Sequence, residues 1–233
     1  DLAYVGSQRL LRQNTRAGWC AVHPVDKCLY VPRGDKMTTD YGIFKYKLNM
    51  ESIRRASGGH GVTHDFLGDL AQTEHILILD ECGRRINLGD YNQGGEFSGD
   101  GRLLFLCTGR AAEHVGGERA EGITVYETAT WKRISHSRNG SMLFEYTFRP
   151  GAYREEPEGL TWWDLDKHPR RAEIPGGIRG QLHALLIDSL GNEYFFKHYE
   201  VDRLAGVSEE LLPFAAGRAA IAASGPGRWK IVQ

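Results

Sequence analysis

The residues most able to do chemistry cluster in a few short stretches. In Gly59-His60-Gly61-Val62-Thr63-His64-Asp65, two histidines stand four positions apart beside a carboxylate. On a strand, even spacing puts His60 and His64 on one face, where they and Asp65 can ligate a metal or exchange protons. His183, in Gly180-Gln-Leu-His183, and Glu96, in Gln93-Gly-Gly-Glu96, follow glycines in a comparable way. If the strands that carry them converge, His64, Glu96 and His183 form one catalytic constellation of acid, base or metal ligands. The plainer reading is a solvated channel with no substrate. The acidic run at Glu155, Glu156 and Glu158 can hold Ca²⁺ or another divalent cation through oxygen, or supply a general acid to a sugar. A solvated loop is the plainer alternative there. Lys197-His198-Tyr199 can orient an anionic or hydroxylated ligand at a strand end. Trp162-Trp163 should split between two faces, one ring in the core and the other free to stack on a sugar.

These groups need elements to position them, and the sequence repeats itself in a way that names those elements. Val22–Val31, Phe97–Leu106 and Ile187–Phe196 align without gaps as an apolar residue, a run of turn formers and an apolar or aromatic run. Asp100-Gly101 and Gly191-Asn192 are suited to the positive φ angles of tight hairpins. Small residues precede each segment (Ala17-Gly18, Gly94-Gly95, Gly176-Gly177), as crowded backbones near an axis require. A Gly-led alternating element recurs as Tyr41–Tyr46, Glu121–Tyr126 and Glu158–Trp163 and reads as a third strand. Period-2 alternation with turns every 8–12 residues predicts an all-β chain. Helix signals are scarce, with one turn expected at Ser208–Leu212 before Pro213.

Glu96-Phe-Ser-Gly-Asp-Gly-Arg-Leu-Leu-Phe-Leu106 followed by Glu121-Gly-Ile-Thr-Val-Tyr126 resembles a blade of the β-propeller superfamily, of the YVTN, NHL and SMP-30 sort. The landmarks cover about residues 16–200. The resemblance implies a single propeller over residues 1–233, with blades starting near 18, 61, 94, 141 and 180. At roughly 40–45 residues per repeat that is about five four-stranded blades. Strands at Tyr4–Leu11 and Arg228–Val232 would close the ring and remove its free edges. Glu158-Gly159 is similar to a metal-site element of the SMP-30 and phytase-like propellers. A two-sheet sandwich or an incomplete propeller is the competing architecture.

Composition narrows the function classes. Lys+Arg 29 against Asp+Glu 30 gives a net charge of −1, which argues against nucleic acid as a partner. No apolar run reaches the roughly 20 residues of a membrane helix. GxSxG, P-loop, HExxH and GxGxxG motifs are missing. Cys20, Cys28, Cys82 and Cys107 form no CxxC pair; Cys20 and Cys28 are spaced to meet in a disulfide or to lie as separate thiols. The expected function is a secreted, lectin-like propeller that binds carbohydrate through His60, Asp65, Glu155, Glu156, Glu158, Trp162, His198 and Tyr199. The alternative is a propeller hydrolase, lactonase or polysaccharide lyase with one site at His64, Glu96 and His183.

Overall fold

The computed structural model describes residues 7–10, 17–32, 42–49, 51, 66–86, 92–108, 122–138, 141–142, 155–174, 180–188, 193–199 and 201. Among them the chain is all-β. The strands are β1 (Ser7–Leu10), β2 (Ala21–Val22), β3 (Cys28–Pro32), β4 (Ile43–Lys47), β5 (Phe66–Leu70), β6 (Gln72–Ile76) and β7 (Asn92–Phe97). They continue with β8 (Leu103–Thr108), β9 (Gly122–Glu127), β10 (Lys132–Arg138), β11 (Ser141–Met142), β12 (Glu155–Trp162), β13 (Leu182–Asp188) and β14 (Glu193–Tyr199). Three antiparallel sheets run β2-β3-β4-β6, β7-β8-β9-β10-β11 and β12-β13-β14, and β1 pairs with β5 in parallel. We refer to the three as the first, second and third sheet. Two short 3-10 turns, Leu165–Lys167 and Arg171–Glu173, follow β12.

The sheets are stacked, and the sequence of β8 shows why. Leu103-Leu-Phe-Leu-Cys107 is apolar at every position because the strand is covered on both faces. Leu104 and Leu106 join Trp19, Tyr30, Ile43, Ile76, Phe97 and Tyr126 in a core between the first and second sheets. Leu103, Phe105 and Cys107 join Ile123, Val125, Leu182, Ala184, Leu186 and Tyr199 between the second and third. A smaller cluster of Val31, Phe44, Tyr46 and Leu70 covers the far side of the first sheet. The first strands approach closely: a Cβ on Gly94 of β7 would stand 3.0 Å from Gly159 Cα of β12.

The loops bind the stack together. His23 Nδ1 accepts from the backbone N–H of Val25 and Asp26, so its Nε2 carries the proton and donates to the Gly101 carbonyl at 2.8 Å. One imidazole thus pins the β2–β3 loop to the β7–β8 turn. In that turn Gly101 alone takes positive φ (+73), while Asp100 contributes its side chain, accepting from Ser98 Oγ at 2.6 Å.

Several expectations change. The three aligned segments are hairpins, but not at equivalent places. Val22–Val31 and Phe97–Leu106 join first to second strands, whereas Ile187–Phe196 joins the second and third strands of its sheet. Glu158–Trp163 lies in and just after β12, the first strand of the third sheet, so that sheet does not begin at Gly180. Ser141 likewise ends the second sheet against β10 instead of opening another. A Gly-led alternating strand fits either position, because alternation reports a covered face and not a place in the order. The described residues form no closed ring, and among them β1 pairs with β5 in parallel. The landmarks at 61, Gly191-Asn192, Ser208–Leu212 and Arg228–Val232 lie outside the described residues.

Candidate functional site

The register of β13 against β14 places Leu185 opposite Phe196 and His183 opposite His198. These four share one face of the third sheet, while Leu182, Ala184 and Leu186 point the other way into the core. The outward face is rich in accessible rings: Trp163 is 51% exposed, Phe196 49% and Tyr194 70%, with Leu185 at 40%. Below them His183 is fully buried. Its ring stacks on Phe196 at 5.6 Å and meets Trp163 edge-on at 6.2 Å, and Trp163 in turn meets His168 at 5.8 Å.

Polar contacts order this cluster. His183 Nε2 lies 2.8 Å from the Trp163 carbonyl, and its Nδ1 lies 2.7 Å from His198 Nδ1. Burial, with the neighbouring His183 second, holds His198 below the usual imidazole range and favours its neutral form. The face therefore combines flat apolar rings with a hydrogen-bonded imidazole pair.

A second polar group lies where the first strands meet. The register slips between Asn92 and Gly94 on β7, and again between Pro157 and Gly159 on β12. Each slip re-aims one side chain, and the two that are re-aimed meet: Gln93 Nε2 donates to Glu158 Oε1 at 3.1 Å. Gln93 Oε1 is buried without a hydrogen-bond partner among the described residues. Glu96 accepts from the backbone N–H of Phe97 at 2.9 Å. Burial raises its carboxyl above the ordinary value, and the N–H groups of Phe97 and Trp162 only partly offset this. Burial, with Glu158 nearby, also pushes the Cys107 thiol up to about 12.

The Glu96 shift has a testable sign. An acid whose folded-state pKa is raised stabilises the fold below its unfolded value of about 4.3, and that contribution is lost as pH rises through the folded value. Glu96→Gln is therefore expected to melt higher than the parent chain at pH 7 and level with it near pH ~4. Equal melting temperatures at both pH values would show that Glu96 is not desolvated.

The structure separates residues that sequence reasoning grouped. Glu96 lies on β7, bonded to the backbone beside it, whereas His183 points away from the second sheet; no hydrogen bond joins them. His183 and His198, assigned to different roles, are direct partners. The register of β13 against β14 sets them opposite each other. Tyr199 faces the core, as strand alternation from His198 demands. Trp162 is half-buried, stacked on Phe105 at 5.9 Å, while Trp163 is the exposed ring of the pair. The acidic run is not a loop: Glu155, Glu156 and Glu158 open β12. His60, His64 and Asp65 lie outside the described residues. No cysteine is disulfide-bonded; Cys20 is exposed and Cys28 buried. Among the described residues no cluster of three or more His, Cys, Asp or Glu could hold a metal ion, and no helix is long and apolar enough to cross a membrane.

Fold and site together define an all-β protein of stacked antiparallel sheets with a ring-lined, histidine-bearing face. No protein-family model and no curated protein matches the chain. Among solved structures, a chain of Kuenenia stuttgartiensis hydrazine synthase is similar over 78% of this chain and 38% of that one, at 13% identity and a TM-score of 0.30. This chain thus spans well under half of that one, and a likeness of this degree carries no inference about fold family or activity.

Proposed function

We propose that this protein binds carbohydrate on the outward face of the third sheet, and that its three sheets are successive blades of a propeller-like stack. Supporting the blade reading, the second and third sheets meander from their first strands, the first sheet does so over β2-β3-β4, and β7 and β12 lie side by side at Gly94 and Gly159. The observation that carries the binding reading is the exposure of Trp163, Phe196 and Tyr194 around the His183–His198 pair. Sugar rings present C–H faces to aromatic rings and hydroxyls to polar atoms between them, and this face offers both. An exposed ring cluster of this kind marks an interaction site more often than idle surface.

The test is titration of the full chain with a panel of methyl hexosides and short oligosaccharides, followed by calorimetry. Trp163→Ala is expected to weaken the best ligand about tenfold, since a ring contact contributes on the order of 1 kcal/mol or more beyond area. Iodide quenching that leaves Trp163 untouched would show the face covered and remove the reading, as would a panel with no binder at millimolar concentration.

A second reading, an enzyme with its site along the first strands, is favoured by the Gln93–Glu158 contact and the raised Glu96 carboxyl. A protonated Glu96 would serve as general acid to a glycosidic or ester oxygen. Hydrolysis of an activated glycoside or lactone that is lost in Glu96→Gln would move the assignment there.

A further inference from the structure

A backbone carbonyl can only accept a hydrogen bond, so His183 Nε2, 2.8 Å from the Trp163 oxygen, must carry a proton. A His183 ring that holds one proton then has a bare Nδ1. Across the 2.7 Å contact, His198 must be the donor, with the proton on its own Nδ1. The consequence falls on the last nitrogen of the chain. We infer that the Trp163 carbonyl sets the polarity of both imidazoles, so that His198 offers Nε2 to the ligand as a hydrogen-bond acceptor, with His183 as a positioning residue. This rests on the reading of the ring face as the binding site, and it specifies what that site recognises. The ligand must place a hydroxyl donor at His198; a group that accepts without donating does not fit.

His198 Nε2 has no hydrogen-bond partner among the described residues, and the ring is only partly buried. His183 is sealed beneath Phe196 and Trp163, which prevents water from supplying an alternative partner and reversing the relay. The arrangement is directional because it begins at an atom that has no donor form.

The experiment has a ligand-free arm and a ligand arm. Imidazole nitrogen-15 correlation spectra of the full chain, assigned with His198→Gln, are expected to show His198 in the Nδ1–H form and His183 in the Nε2–H form. His198 in the Nε2–H form overturns the inference. His183→Phe is expected to release His198 from its fixed form; if that variant does not fold, the parent spectrum alone decides. In the ligand arm, the best-bound methyl hexoside is compared with its monodeoxyfluoro forms, in which fluorine cannot donate. Replacement of one hydroxyl is expected to cost the parent chain about tenfold in affinity, and His198→Leu less than about threefold. Equal binding of every fluorinated form overturns the inference while leaving glycan binding intact. Absence of any sugar binding with the tautomers as assigned removes the proposed function and leaves the relay standing.

Discussion

Gly95→Ala is expected to destabilise the protein by about 1–3 kcal/mol, the usual cost of overpacking a filled core. A Cβ at this position would stand 2.4 to 2.6 Å from three ring atoms of Trp19. Trp19 is itself buried among Ala21, Tyr30 and Phe97, so the indole has no free direction in which to withdraw. Gly159→Ala is the control. It lies on the neighbouring first strand, yet an added Cβ there meets nothing within 4 Å. That variant should stay within about 0.5 kcal/mol of the parent in urea unfolding, as substitutions without new contacts do. Equal losses for the two variants would show that the sheets do not pack as described.

Gly101→Val should be at least as damaging, for two reasons that add. The backbone holds φ at +73, a region in which a β-branched residue is strained by on the order of 1–2 kcal/mol. The new Cβ would also lie 2.6 Å from the His23 imidazole, which donates to the Gly101 carbonyl. Relieving the clash means moving His23, which breaks the tie between the first and second sheets. Replacing His23 by alanine in the same chain should remove the second cost but not the first, so a double-mutant cycle separates them. An unchanged melting temperature for Gly101→Val would exclude a tight turn at this position.

The hairpins were legible because a turn announces itself locally. Asp100-Gly101 sits between two apolar runs, and the resulting β7–β8 pair is where the spacing puts it. The split of Trp162 and Trp163 between two environments was equally readable, since adjacent residues on a strand diverge. The order of strands was less so. Glu158–Trp163 has the alternation of any half-covered strand, and its place at the head of the third sheet follows from pairing with β13. Nothing local encodes a pairing partner.

The candidate site divides in the same way. His183 and His198 could each be marked as polar residues on strands, but their contact at 2.7 Å depends on the register of a whole hairpin. The exposure of Trp163, Phe196 and Tyr194 depends on which face of the third sheet meets the second. Gln93 and Glu158, 65 residues apart, meet because two strands slip register at neighbouring points, which no spacing reveals.

What the sequence by itself determined is the β class, the hairpin turns and the alternation that assigns each side chain to one of two faces. These arise from φ/ψ preference and the two-residue period of a strand, both properties of neighbours in the chain. Which face is buried, which glycine is indispensable and which polar groups touch were decided only by the packing of sheets against each other. Gly95 is required and Gly159 is not, although both lie within the first strands of their sheets, because one lies under an indole and the other under open space. Contacts between distant segments are set by the shared volume they fill, and that volume exists only once the sheets have stacked.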